Sequence, residues 1–137
     1  MAYCPLDNLN IQNREKLPVL EFYKRFKNDL KLTIHAGETS ENSCILEVGL
    51  HRPGLALTGY TSVYSSHQIQ IIGHTEWNYL ESIGPGARRD AFNKLSSFNA
   101  PMWVVTHGQK PHQELVDMCS AKNIPLFSST LYTIEFN

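Results

Sequence analysis

The sequence predicts a three-layer α/β/α domain built on a mixed, largely parallel sheet. Three observations carry that expectation. Short apolar runs such as Ile69-Gln70-Ile71-Ile72 and Met102-Trp103-Val104-Val105 read as strands buried on both faces, the habit of parallel sheets. Segments with helical spacing of apolar residues alternate with them. One unit recurs: a helix, then Lys or Pro, then an apolar strand, then a polar turn. It appears at Lys31-Leu32-Thr33-Ile34, Pro101-Met102-Trp103-Val104 and Pro125-Leu126-Phe127. A chain of 137 residues is long enough for one domain with its own core.

Residues 1–16 are polar and aperiodic and read as an N-terminal arm before a domain over residues 17–137. Leu17-Pro18-Val19 suits a short edge strand, where proline is tolerated. Val19, Phe22, Tyr23, Phe26 and Leu30 fall at helical spacing and predict an amphipathic helix. Leu32-Thr33-Ile34-His35 reads as a buried strand, with His35 a satisfied histidine at its end. Glu38 to Ser43 is polar loop, and Cys44 to Val48 is a second strand. Leu55 to Tyr60 forms a helical turn, and Val63 and Tyr64 begin a connection that ends at His67.

Ile69 to Ile72 is a strand stopped by Gly73. Thr75 is placed as the N-cap of the next helix, with Glu76 near the positive end of its dipole. Trp77, Leu80 and Ile83 face inward. Gly84-Pro85 restarts a helix, with proline in its first turn. Its apolar face is Ala91, Phe92 and Leu95, and Arg88 and Arg89 are solvated. Met102 to Val105 is the clearest strand. Pro111 opens the last helix, with Leu115, Met118 and Cys119 on one face and the thiol buried and inert. Leu126-Phe127 is a final core strand, and Leu131 to Phe136 is either one more strand or a linker.

The stretch from Leu50 to Tyr60 organises the chain. Pro53 fixes its own φ and holds Arg52 out of the helical region. Leu55 and Leu57 give the stretch something to bury, so the loop keeps one shape and Arg52 can be aimed, with Glu47 or Glu76 as its carboxylate partner. In open α/β sheets ligands sit off the carboxyl ends of the strands. That makes Gly73, His74, Thr75 and Glu76, together with Thr106, His107 and Gly108, the rims of a candidate crevice with Arg52. Both loops offer a histidine, a threonine and backbone N–H groups for an anion. The plainer reading is that the threonines cap helices and the glycines turn corners.

Composition removes several classes. A net charge of −1 leaves no basic stripe for nucleic acid. No stretch approaches a membrane span, and the N-terminus lacks the apolar core of a signal peptide. Cys4, Cys44 and Cys119 are an odd, widely spaced set, which fits a reducing cytosol better than a disulfide framework. No C-x-x-C or H-x-x-x-H spacing occurs, so no metal is expected. G-x-S-x-G and G-x-x-x-x-G-K-[ST] are both absent from the sequence.

Four motifs carry a family resemblance. They are Arg52-Pro53-Gly54-Leu55-Ala56-Leu57-Thr58-Gly59-Tyr60, Gln68 to Glu76, Ala100 to Gly108, and Asn123-Ile124-Pro125-Leu126-Phe127. In that order, and from about Leu17 to the chain end, they resemble the amino-terminal domain of HPr kinase/phosphorylase. That bacterial enzyme uses ATP to phosphorylate, and also dephosphorylates, a serine of the phosphocarrier HPr in carbon catabolite regulation. The resemblance implies a fold similar to the uridine-nucleotide-binding domain of Mur ligases. It also implies that catalysis, ATP and Mg belong to a carboxyl-terminal kinase domain, whose linker would begin near Asn137.

The expected function is therefore a non-catalytic, cytoplasmic regulatory or interaction domain. Its expected partners are that kinase domain or a homo-oligomer, with HPr reached indirectly, and neither nucleic acid nor membrane. The alternative is a free-standing binding domain for a nucleotide or phosphorylated metabolite. His74 stands where the family usually has Lys, His107 where it usually has Arg, and Gln68 where it usually has Arg, so three positive charges are lost or made dependent on pH and any borrowed anion binding is weakened.

Overall fold

A computed structural model describes residues 17–37, 44–45, 50–61, 68–98 and 100–131. Within them the chain runs β1 (Leu17–Pro18), α1 (Val19–Phe26), β2 (Leu32–Ala36), β3 (Cys44–Ile45), β4 (Leu50–His51), α2 (Gly54–Leu57), β5 (Ile69–Ile72), α3 (His74–Leu95), β6 (Trp103–Val105), α4 (Gln113–Lys122) and β7 (Leu126–Ser129). The expectations placed on residues 1–16, 38–43, 46–48, 63–67 and 132–136 lie outside the described residues.

Five strands form the main sheet in the order β2-β7-β6-β5-β4. The four strands β4 to β7 run parallel, and β2 joins β7 antiparallel, so the sheet is mixed as expected. β1 and β3 pair antiparallel as a separate two-stranded ribbon. The described part of the predicted Cys44–Val48 strand thus belongs to the ribbon, and β4 is the strand that leads into the Arg52 stretch.

Period-two alternation assigns the layers. Val104 faces one way, with Ile71 and Phe127, and is covered by Val19, Phe22 and Tyr23 of α1. Tyr23 stacks on Phe127 at 5.0 Å between ring centroids. Trp103 and Val105 face the other way with Ile72 and Leu126, beneath Leu57 of α2, Leu80, Phe92 and Leu95 of α3, and Leu115, Met118 and Cys119 of α4. Phe92 meets Trp103 edge to face at 6.0 Å. This is the predicted three-layer arrangement, with every residue of β5 and β6 buried.

Gly84 breaks the middle of α3 with φ 81 and ψ 169, and Pro85 then starts the second half, as the sequence indicates. Four expectations need correction. Arg88 is not solvated: its side chain is 13% exposed and pairs with Glu114 at 2.8 Å. Its Nη1 also donates to the carbonyl of Leu80 across the kink, at 2.9 Å. Leu55 is exposed rather than buried, because α2 turns only Ala56 and Leu57 inward. Thr75 does not cap α3. Gly73 holds the extended N-cap position, and the Glu76 carboxylate accepts its N–H. The last helix opens at Gln113, with His112 as the extended N-cap and Pro111 one residue before it. It closes at Asn123 in the left-handed conformation.

The strand at Leu32–Ala36 ends on Gly37, whose φ is 74 and whose backbone lies against Ile124 and Pro125. His35 Nε2 lies 2.7 Å from Ser128 Oγ, the satisfied histidine foreseen. Burial, with the Lys110 charge adding to it, pushes its pKa down.

Candidate functional site

Because β4, β5 and β6 are parallel, the segments that follow them emerge on one edge of the sheet. Arg52 follows β4, Gly73-His74-Thr75-Glu76 follows β5, and Thr106-His107-Gly108 follows β6. The structure brings all of these sequence-predicted residues to that edge.

Arg52 and Glu76 form its ionic centre. Arg52 Nε and Nη2 donate to Glu76 Oε1 at 3.1 and 3.0 Å. The same oxygen accepts the Gly73 N–H at 2.8 Å. Glu76 is 7% exposed and Arg52 48%, so the acid is fixed inside while the guanidinium keeps one side toward water. The Glu76 carboxylate, in effect, takes the place an external anion would occupy at the start of α3.

The second rim is built from β6. Thr106 is fully buried, and its N–H donates to the Ile72 carbonyl at 3.0 Å. Its hydroxyl lies 2.9 Å from His107 Nδ1 and 3.4 Å from the same Ile72 carbonyl. Both His107 and Gly108 adopt positive φ, 64 and 68. That turn aims their N–H groups back into the fold, where they donate to the carbonyls of Leu131 at 2.8 Å and Ser129 at 2.9 Å. The backbone donors of this loop are therefore spent internally, contrary to the expectation that they face an anion.

The two histidines do meet. The rings of His74 and His107 are 5.9 Å apart, and His74 is exposed. Two residues that the sequence reading missed frame His74. Asn78 Nδ2 is 3.0 Å from His74 Nε2, and Gln109 Nε2 is 3.4 Å from His74 Nδ1. Asn78 was detectable as the residue one helical turn on. Gln109 was not, since its approach depends on the His107-Gly108 turn. Gln109 Oε1 is buried and has no partner among the described residues.

A second cluster flanks this edge. Trp77 Nε1 donates to the Lys110 carbonyl at 2.9 Å, its ring lies 4.9 Å from that of His112, and His112 Nε2 reaches Glu81 at 2.9 Å. It ties α3 to the start of α4. Cys119 is buried in the core, and burial pushes its thiol well above the ordinary range, which suits packing rather than attack. Among the described residues, no group of three His, Cys, Asp or Glu side chains gathers as a metal site, and no helix is long and apolar enough to cross a membrane.

Fold and edge together define an α/β/α domain whose strand-end loops are fastened to one another. The same fold appears in the CBS and DRTGG domains of the regulatory region of Clostridium perfringens pyrophosphatase, solved with its activator diadenosine tetraphosphate. The TM-score is 0.53 at 12% identity, over 81% of this chain and 42% of that one. Sequence comparison is more specific. The model of the HPr serine kinase N terminus matches residues 17–137, and the chain belongs to that family. It is 41% identical to the HPr kinase/phosphorylase of Chlorobaculum tepidum over 105 residues, 76% of this chain and 30% of the relative. Against the enzyme of Chlorobium luteolum it is 34% identical over 124 residues, 89% of this chain and 37% of the relative. The chain thus spans only about a third of the length of the curated relatives it matches, from 30% to 37%.

Proposed function

We propose that this chain is a non-catalytic regulatory and interaction domain of the HPr kinase/phosphorylase type, working in the cytoplasm on a carboxyl-terminal kinase domain. The observation that carries the reading is the internal fastening of the strand-end loops. Phosphoryl transfer needs donors and a metal site arranged around phosphates. Here the N–H groups of Gly73, His107 and Gly108 are all occupied within the chain, and Arg52 is matched by Glu76. A rigid edge of this kind suits transmission of a signal to a neighbouring domain. The likeness in fold to part of a pyrophosphatase regulatory region is in keeping with that role.

A second reading rests on the histidine pair. His74, exposed and 5.9 Å from His107, offers a nucleotide or phosphorylated metabolite a contact at the strand-end edge.

Calorimetric titration of the chain into the separately expressed kinase portion of the Chlorobaculum tepidum enzyme tests the first reading. Saturable binding is expected, and the chain alone, with ATP, Mg and HPr, should leave HPr unphosphorylated. No heat of binding, or phosphoserine formed by the chain alone, overturns it.

A further inference from the structure

The edge strand β2 breaks its ladder once. Leu32, Thr33 and Ile34 stand opposite Ser129, Ser128 and Phe127 of β7, and Ala36 stands opposite Leu126. His35 is the extra residue between them. A bulge of this kind re-aims a side chain, and here the Nε2 of His35 comes 2.7 Å from Ser128 Oγ. The two residues are 93 positions apart, so no sequence motif announces them. Ser128 is the one residue of β7 that reaches the surface, and His35 is also partly exposed. Other serines are used differently: the exposed hydroxyls of Ser82, Ser96 and Ser97 donate to main-chain carbonyls. Ser128 meets a base. It stands opposite Val105, the last residue of β6, and so beside the loop that follows that strand. The Gly108 N–H fastens this loop to the Ser129 carbonyl, and Lys110 lies two residues further on, with its charge acting on His35.

We propose that Ser128 is a nucleophilic serine, with His35 as its general base, that accepts an acyl group from an activated ester. A hydroxyl within hydrogen-bond reach of an imidazole is the arrangement such an attack needs. Ser128 Oγ bonds to the carbonyl carbon while His35 Nε2 takes the hydroxyl proton. The ester C–O bond then breaks, its electron pair leaves on the alcohol oxygen, and the imidazolium returns the proton to that oxygen. The products are acyl-Ser128 and the free alcohol. Burial and the Lys110 charge hold the His35 pKa below the ordinary value, so the imidazole is a free base at neutral pH. The same ammonium group favours the negative charge that builds on the carbonyl oxygen. β2 and β7 carry no other titratable side chain. α4, packed against β2, carries Glu114, which is paired with Arg88, the buried Cys119, and Asp117 and Lys122. The pair is separate from the Arg52–Glu76 contact and does not depend on the regulatory reading.

Treatment of the purified chain with p-nitrophenyl acetate, followed by peptide mass mapping at timed intervals, is the test. Acetyl should appear at Ser128 faster than at Ser82, Ser96 or Ser97. His35→Gln should slow acetylation of Ser128 about a hundredfold, the scale of a lost general base. In the parent the rate should rise with pH through an inflection below about 6.5, where His35 gives up its proton. Lys110→Met removes a charge that opposes protonation, so it should move the inflection upward. A hydrogen bond with a merely structural role moves neither the rate nor the inflection. Circular dichroism shows that the variants keep their fold, and the parent's own profile needs no variant. Acetylation of Ser128 no faster than that of the comparison serines overturns the proposal. A rate indifferent to His35→Gln does so too, as does a parent profile without an inflection.

Discussion

Arg52 holds Glu76 with two nitrogens on one carboxylate oxygen, at 3.0 and 3.1 Å, across 24 residues of sequence. The contact joins the end of β4 to the first turn of α3, and so fixes two of the three segments at the strand-end edge. Breaking one side of a buried pair costs about 3–5 kcal/mol, because the other charge stays behind. Arg52 is 48% exposed, so water replaces part of what it gives. Arg52→Ala is expected to cost about 1–2 kcal/mol. The urea midpoint measures this, and a midpoint equal to the parent's contradicts it.

Arg88 and Glu114 form the more enclosed pair, with side chains 13% and 9% exposed. Arg88→Ala also frees the Leu80 carbonyl at the Gly84 kink, and is expected to cost about 3 kcal/mol. The hydrogen bond from Arg88, chiefly, lowers the Glu114 pKa in the folded chain. A carboxyl whose folded value lies below its unfolded one adds stability above about 4.3 and loses it as pH falls through the folded value. Unfolding measured from neutral to acid pH should therefore show a smaller acid loss in Glu114→Gln than in the parent. Parallel curves for the two proteins contradict the assignment.

Gly37 carries φ 74, and a Cβ there would run into the backbone of Ile124 and Pro125. Neither obstacle is a flexible side-chain end, so both strain and overlap must be absorbed by β2 and the entry to β7. Gly37→Ala should lose more than about 2 kcal/mol, beyond the cost of the left-handed backbone alone. Gly84→Ala meets open space, but φ 81 with ψ 169 is a backbone region that only glycine enters readily, so it is strained for a different reason. A thermal melt of Gly37→Ala superimposable on the parent's contradicts the close approach.

The histidine pair predicts where a ligand would register. Two-dimensional NMR titration with a uridine nucleotide or sugar bisphosphate should give shifts clustered at Gly73 to Glu76 and Thr106 to Gly108, around the facing rings of His74 and His107. Absence of clustered shifts at millimolar ligand contradicts the second reading and leaves the first intact.

Much of this arrangement was legible in the residues. Trp103-Val104-Val105 is wholly apolar because its two faces are covered by different helical layers. A held loop left Glu47 or Glu76 as the partner of Arg52, and the structure selects Glu76. The misses share a cause: each depends on where a distant element lands. Arg88 looks solvated until α4 brings Glu114 beside it, 26 residues away. Thr75 looks like a cap until Glu76 reaches back to Gly73 N–H. Leu55 looks like core, because hydropathy cannot reveal that a four-residue helix turns only two side chains inward. The His107 and Gly108 N–H groups look available until the residues after β7 return to accept them.

The most direct test of the regulatory role is the initial rate of HPr serine phosphorylation by the kinase portion of the Chlorobaculum tepidum enzyme, with ATP and Mg, as this chain is added in trans. The account predicts a saturable change in rate, at chain concentrations matching the calorimetric affinity, that Arg52→Ala diminishes. A rate independent of the chain at saturating concentration contradicts it.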